Sequence, residues 1–203
     1  QRLETLQLQA KDQLLAADNM ALTAVREQQF AQLSSQLQGV ALLQYCPDHI
    51  KARILGLGEQ FSVALMTGLL KYLKIDTVAL DSVACVKSQG DYLNAVADIP
   101  ASEAALSAAV AKQQAQVYVM AGFVSSNSNG ELCLLGRNGS DYSAAIVAAS
   151  IRASVCEIWT DVDGVYSADP RQVKQAQLID HLSYDEAMEL SYFGAKVLHP
   201  KTI

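Results

Sequence analysis

Apolar side chains recur every three or four residues through the first third of the chain, and this spacing predicts helices. The first predicted helix covers residues 1–43, where Gln, Ala and Leu dominate. A turn at residues 46–48 ends it, with Asp48 as the N-cap of the next helix. Two further helices are predicted at residues 49–55 and 59–73. Gly56-Leu57-Gly58 separates them, so Glu59 is expected to open the second.

The centre of the chain alternates short apolar runs, which predict strands, with helical stretches. The predicted helices cover residues 102–112 and 141–152, and the predicted strands cover residues 75–80, 117–120, 132–135 and 155–159. A polar run at residues 125–130 predicts a hairpin. This alternation indicates an α/β fold, with three layers in the order αβα and a mostly parallel central sheet.

Composition narrows the class of protein. The chain has 203 residues, enough for one α/β domain with a substantial core. Hydrophobic residues make up 51% and charged residues 18%, which excludes a disordered chain. No apolar run reaches the roughly 18 residues that cross a bilayer. The net charge of −6 argues against a nucleic-acid binder, so we expect neither a membrane nor a nucleic-acid partner.

The cysteines and the first residue bear on the setting of the chain. The four cysteines are scattered without metal-ligand spacing and are predicted to be reduced core thiols of a cytoplasmic protein, at Cys46, Cys85, Cys133 and Cys156. The chain begins with Gln1 rather than Met, and we expect it to be the interior of a longer polypeptide.

The segment Gly-Arg-Asn-Gly-Ser-Asp at residues 136–141 follows a predicted strand and opens a predicted helix. Glycines allow a tight turn, and free amides at a helix N-terminus attract anions. The guanidinium of Arg137 adds a planar fork suited to a carboxylate or a phosphate. A simple strand-to-helix turn, capped by Ser140 or Asp141, fits the same residues equally well.

Three other segments offer candidate chemistry. Residues 159–166 and 169–171 follow a strand, where ligands gather in open α/β sheets, although a turn stabilised by aspartates explains them too. Glu59 would suit a helix start for structural reasons alone. In residues 194–200, Lys196 has the reach for a phosphate, whereas His199 lacks a paired nucleophile and fits a structural donor better. Neither a Walker sequence nor a protein-kinase motif set is present.

Together these segments resemble the aspartate kinases of the amino-acid kinase family. The shared wording is Gly-Glu at 58–59, Ala-Gly-Phe at 121–123, the loop at 136–141, Trp-Thr-Asp-Val-Asp-Gly-Val-Tyr at 159–166, Asp-Pro-Arg at 169–171 and Lys-Val-Leu-His-Pro at 196–200. The resemblance runs from about residue 26 onward, and residues 183–196 look most like the kinase part of bacterial bifunctional aspartokinase–homoserine dehydrogenases.

The resemblance implies transfer of the ATP γ-phosphate to the β-carboxylate of L-aspartate. The product would be 4-phospho-L-aspartate, the first step toward lysine, threonine and methionine. It also implies a homo-oligomeric cytoplasmic enzyme that uses ATP and Mg²⁺. A carboxylate nucleophile with a pKa of about 4 is already ionised at neutral pH, so such a site needs no general base.

The family's roles carry over onto matching residues. Glu59 would meet the aspartate ammonium group, Arg137 would bind its α-carboxylate, and Asp141 looks like the catalytic aspartate. The pocket would be shaped by Asn138, Gly139 and Ser140. The nucleotide would be held by Thr160, Asp161, Tyr166, Arg171, Lys196 and Val197. No residue is assigned as a direct metal ligand.

One departure from the family pattern is the absence of its opening Lys-Phe-Gly-Gly-Thr-Ser strand. We therefore expect residues 1–203 to be a partial catalytic domain of low activity, without regulatory or dehydrogenase domains. Two alternatives stay open. One is another amino-acid kinase, acting on glutamate or a nucleoside monophosphate; the other is a non-catalytic fragment that binds ligand without turnover.

Overall fold

A computed structural model describes residues 16–160, 163–168, 172–193 and 200–202. Its helices are α1 (Ala16–Leu43), α2 (Asp48–Tyr72), α3 (Ser82–Cys85), α4 (Ile99–Lys112), α5 (Gly139–Ser150) and α6 (Tyr184–Phe193), followed by a short 3-10 helix, Pro200–Thr202. Its strands are β1 (Thr77–Leu80), β2 (Ser88–Gln89), β3 (Val96–Ala97), β4 (Val117–Met120), β5 (Val124–Ser126) and β6 (Leu132–Leu134).

Helix α2 is continuous, so the two helices predicted at residues 49–55 and 59–73 were wrong. The reason is close packing: a Cβ at Gly56 would lie 3.3 Å from Val124 Cγ2 and 3.5 Å from Leu132 Cδ1. The glycine therefore lets the helix approach the hairpin rather than breaking the helix. Glu59 consequently lies within α2 instead of opening a helix. Pro47, and not Asp48, is the N-cap residue.

Strands β1 and β4 form a parallel pair, in which Thr77 lies opposite Val117 and Leu80 opposite Met120. Helix α2 packs on this pair. Strands β5 and β6 form the predicted antiparallel hairpin, with Val124 opposite Leu134. Parallel strands joined through helices, with a hairpin beside them, agree with the α/β fold predicted from the alternation of elements.

Two buried clusters hold these layers together. One joins Ala52 of α2 to Val124, Leu132 and Leu134 of the hairpin. The other joins Ile146 and its neighbours on α5 to Val86 and Leu135. All four cysteines are unpaired; Cys85 and Cys133 are buried in agreement with prediction, but Cys156 is exposed and is not a core thiol.

The strand predicted at residues 155–159 was wrong: these residues adopt no strand, and no described strand pairs with them. Val155 and Trp159 are 68% and 89% exposed. An apolar run becomes a buried strand only when a neighbouring strand satisfies its backbone groups. Within the described ranges, no helix is long and apolar enough to cross a membrane.

Candidate active site

The Gly-rich loop at residues 136–141 packs against the carboxyl end of strand β4. A Cβ on Gly122, two residues after β4 ends, would lie 3.0 Å from both Cα and Cβ of Ser140. A side chain at this position would force the Ser140 backbone to shift. The predicted loop therefore lies where ligands bind in open α/β sheets, beyond the carboxyl ends of the strands.

Gly139, the first residue of α5, is equally confined. A Cβ there would lie 3.0 Å from Phe123 Cδ2 and 3.1 Å from Leu135 Cβ. Gly122 thus lies close to the Ser140 backbone, and Gly139 lies close to the side chains of Phe123 and Leu135. We call this contact the glycine junction and define it by Gly122, Phe123, Gly139 and Ser143.

Hydrogen bonds complete the glycine junction. The Phe123 N–H donates to Ser143 Oγ at 2.8 Å, and the Ser143 hydroxyl donates to the Gly139 carbonyl at 2.8 Å. Leu135 N–H donates to the Phe123 carbonyl at 2.9 Å. Phe123 has φ +68°, a left-handed conformation that is rare for a bulky side chain. Its backbone is therefore held in place from both ends.

The loop itself presents polar groups to solvent. Arg137 and Asn138 are exposed, and both lie between two buried glycines, Gly136 and Gly139. Asn138, with φ +57°, is the N-cap residue of α5 and makes no side-chain capping bond, so capping by Ser140 or Asp141 was wrong. The half-buried Asp141 lies in the first turn of α5, where a carboxylate is stabilised by the helix dipole.

Glu59 lies on helix α2. It is half-buried, and burial raises the pKa of its carboxyl. One turn earlier, Gly56 rests on the hairpin that begins beside Phe123. Glu59 and Arg137 both lie in the described part of the chain, and no ion pair joins them. Their opposite charges are therefore unpaired with each other.

A cavity of about 360 Å³ lies between α2 and the carboxyl ends of β1 and β4. Its lining includes Gln60, Asp81, Ser82 and Ala121, none of which was predicted as a site residue. The Ser82 hydroxyl donates to the Ala121 carbonyl at 2.6 Å and so ties the two strand ends together. The signal for Asp81 and Ser82 was their position after the strand predicted at residues 75–80.

The residues predicted to hold the nucleotide are only partly described. Thr160 is exposed, and the Tyr166 hydroxyl donates to Asp163 Oδ2 at 3.3 Å. Burial, together with the charge of Asp163, raises the pKa of Tyr166. The backbone of Tyr166 bridges to Leu178. The other four predicted nucleotide residues lie outside the described residues: Asp161, Arg171, Lys196 and Val197.

The described candidate groups carry charges of both signs. Arg137 and the amides that open α5 favour an anionic group, whereas Glu59 favours a cationic one. In the described ranges, no group of three or more His, Cys, Asp or Glu side chains gathers to hold a metal. Mg²⁺ commonly reaches a protein through phosphates plus one or two carboxylates, and Asp141 is the carboxylate that the loop carries.

Comparison with known sequences identifies relatives over nearly the whole chain. The model of the amino acid kinase family matches residues 5–203. The bifunctional aspartokinase/homoserine dehydrogenase of Buchnera aphidicola is 46% identical over 178 residues, covering 87% of this chain and 22% of the relative. Its Haemophilus influenzae counterpart is 48% identical over 181 residues, covering 89% and 22%. The chain thus spans about a fifth of the length of these relatives.

Solved structures agree with the family match. E. coli aspartokinase III in complex with aspartate and ADP, in its R-state, superposes with a TM-score of 0.75 at 29% identity, covering 95% of this chain and 48% of that one. The same enzyme with lysine and aspartate, in its T-state, gives 0.81 at 29% identity, covering 95% and 42%. These similarities confirm the α/β fold and the family resemblance inferred from the motifs.

Proposed function

Because the chain belongs to the amino-acid kinase family, we propose that it forms the aspartate-binding and phosphotransfer part of an aspartate kinase. The reaction is transfer of the ATP γ-phosphate to the β-carboxylate of L-aspartate, giving 4-phospho-L-aspartate. The observation that carries the proposal is the Gly136–Asp141 loop, fixed by the glycine junction at the end of β4 with Arg137 exposed. E. coli aspartokinase III, which binds aspartate, supports this choice of substrate.

Aspartate would bind with its two ends recognised by opposite charges. Arg137 would receive the α-carboxylate through a bidentate pair, the geometry that a guanidinium favours. Glu59 would receive the ammonium group. Its carboxyl is half-buried without a described cationic partner, so a bound ammonium would compensate the cost of its desolvation. A ligand with a carboxylate for Arg137 and an ammonium group for Glu59 has the two charged groups of an α-amino acid.

Phosphotransfer would then depend on positioning and charge compensation rather than on proton removal. The aspartate β-carboxylate is ionised at neutral pH and attacks without a general base. The amides that open α5 would face negative charge that develops on the transferring phosphoryl group. Asp141, on the first turn of the same helix, would organise the cation that accompanies the phosphates.

The nucleotide is proposed to bind along the segment that includes Thr160 and Tyr166, together with Asp161, Arg171, Lys196 and Val197. The ADP bound to E. coli aspartokinase III supports nucleotide use. Mg²⁺ would be carried by the phosphates, and its charge would offset theirs. Arg171 and Lys196 would concentrate positive charge in a chain whose net charge is −6.

The decisive experiment replaces Arg137 in the natural full-length polypeptide that carries this sequence. Arg137→Ala should weaken aspartate binding by roughly 10- to 150-fold, the equivalent of about 1.5–3 kcal/mol for a hydrogen bond to a charged group. MgATP affinity should change little. Titration calorimetry with each ligand measures both effects.

Arg152→Ala is the matched control, because Arg152 is 84% exposed and pairs with the partly exposed Glu103 at 3.3 Å. This surface pair should contribute little, so both affinities should match those of the unchanged protein. Equal aspartate affinity in the Arg137 and Arg152 variants would contradict the proposed site. A panel of aspartate, glutamate and nucleoside monophosphates distinguishes the proposal from other members of the family.

A further inference from the structure

We propose that Ser143 is a positioning residue for the substrate carboxylate, acting through the backbone of Phe123 and the first turn of α5. This inference rests on the proposed binding of aspartate by the Gly136–Asp141 loop. Ser143 was absent from the site residues predicted by motif. It is 3% exposed and lies one turn beyond Gly139, with no route to touch a ligand in solvent.

The hydroxyl of Ser143 forms a hydrogen bond with each of two segments. It accepts the Phe123 N–H at 2.8 Å and donates to the Gly139 carbonyl at 2.8 Å. One segment is the chain leaving β4, and the other is the loop that carries Arg137. This hydroxyl therefore links the strand end to the first turn of α5, beside the close contact of Gly122 with Ser140.

Backbone strain shows why this bond has consequences beyond packing. Phe123 has φ +68°, and such conformations persist only where the surroundings hold them. The aromatic ring of Phe123 lies against Gly139, where an added Cβ would be 3.0 Å away. Loss of the Ser143 hydroxyl leaves the Phe123 N–H without its acceptor and allows this residue to relax. Any such movement displaces Gly139, two residues from Arg137.

The chain supplies a closely matched control on the same helix. Ser150 is also 3% exposed, and its hydroxyl is buried without a hydrogen-bond partner. Ser150→Ala removes the same atom from the same helix but breaks no bond. Ser143→Thr keeps the hydroxyl and tests whether the bond, rather than the residue, is needed.

The experiment measures aspartate and MgATP affinities by calorimetry in the natural full-length polypeptide, for the unchanged protein and these three variants. Ser143→Ala should weaken aspartate binding by roughly 2- to 12-fold, the range of a single neutral hydrogen bond, and change MgATP binding less. Ser150→Ala should leave both affinities unchanged. Ser143→Thr should restore aspartate affinity. A purely structural role would lower thermal stability without this selectivity for aspartate.

Hydrogen exchange at the Phe123 amide provides an independent measurement if Ser143→Ala folds poorly. In Ser143→Thr the amide should stay protected, as in the unchanged protein. Equal aspartate affinity for Ser143→Ala and the unchanged protein, or an equal loss in Ser150→Ala, would overturn the positioning role alone. Absence of aspartate binding by the unchanged protein would instead overturn the proposed function.

Discussion

The two halves of the proposed site differ in how the fold supports them. The glycine junction lies between β4, the hairpin and α5. Gly139 and Ser143 are buried, Gly122 and Phe123 are partly buried, and a Cβ added at either glycine would meet a neighbouring atom at 3.0 Å. By contrast, residues 151–160, at the start of the proposed nucleotide half, are exposed at nine of ten positions. The described residues between α5 and α6 form no helix and only one bridge, from Tyr166 to Leu178.

This difference distinguishes two ways of positioning motif residues in a site: by packing within the fold and by contact with the ligand. At the glycine junction, packing and hydrogen bonds fix the residues before any ligand arrives, so binding costs little reordering. Along residues 151–160, few neighbours restrain the side chains, so ligand contacts there must supply more of the order. Substitutions that fill the packed glycines should therefore act mainly through stability, whereas substitutions along the exposed segment should act mainly through ligand affinity.

The largest expected effect comes from filling the glycine junction. In Gly122→Ala the new methyl group would meet the Ser140 backbone at 3.0 Å, which cannot rotate away as a side chain would. Overpacking of this kind typically costs about 1–3 kcal/mol. Chemical denaturation should show that loss in the free energy of unfolding.

Gly68→Ala is the matched change at an open glycine. Gly68 lies within α2, and a Cβ there would meet nothing within 4 Å. Alanine is favoured over glycine in a helix by about 0.5–1 kcal/mol, so this variant should be more stable than the unchanged protein. If Gly122→Ala were as stable as Gly68→Ala, the close contact between Gly122 and α5 would be contradicted.

The same contrast explains what the sequence could predict. Local patterns located β4, the hairpin and α5 to within a few residues, because each element is defined by its own periodicity and turn residues. Gly56 misled the prediction, since a glycine that breaks a helix and one that admits a neighbour look alike until the neighbour is known. Residues 155–159 led to a predicted strand that does not form, because an apolar run does not reveal whether a partner strand is present.

The site followed a similar rule. The loop at 136–141 was identifiable because its glycines, its arginine and its polar residues are adjacent in sequence. Ser143 and Asp81 were not selected, and Phe123 was noted only within the Ala-Gly-Phe motif and not as a site residue. Their significance depends on contacts between separate segments, such as the bond between residues 123 and 143. Functional residues that are adjacent in sequence can be predicted from a motif, whereas contacts from a distant segment become visible only in the folded structure. The roles of the motif residues stay predictions until the substitutions are made.

A smaller effect should appear in the pH dependence of stability through two carboxylates, Glu59 of α2 and Glu131 of the hairpin turn. Burial raises the pKa of Glu59. Its contribution to stability is therefore fully present below the unfolded pKa of about 4.3 and is lost as pH rises through the raised folded pKa. Glu59→Gln should match the unchanged protein at low pH and exceed its melting temperature at neutral pH, while binding aspartate less well.

Glu131, at the hairpin turn, should show the opposite sign. Hydrogen bonds from Asn127 at 2.9 Å and Tyr92 at 2.7 Å lower the pKa of its carboxyl. Its contribution is present above the unfolded pKa of about 4.3 and is lost as pH falls through the lower folded pKa. Glu131→Gln should therefore be destabilised at neutral pH and approach the unchanged protein in acid. If Glu59→Gln and Glu131→Gln changed the melting temperature at neutral pH in the same direction, this assignment would be contradicted.

The smallest effect expected is spectroscopic and concerns the exposed half. Trp159 is the single tryptophan of the chain, is 89% exposed, and donates from Nε1 to the nearby Glu157 carboxylate at 3.1 Å. Its fluorescence should therefore resemble that of tryptophan in water and shift little on unfolding. MgATP should move the emission to shorter wavelength if nucleotide covers this segment, whereas aspartate alone should not. Short-wavelength emission before ligand is added would mean that Trp159 is already buried. That result would contradict the contrast between a packed half and an exposed half of the site.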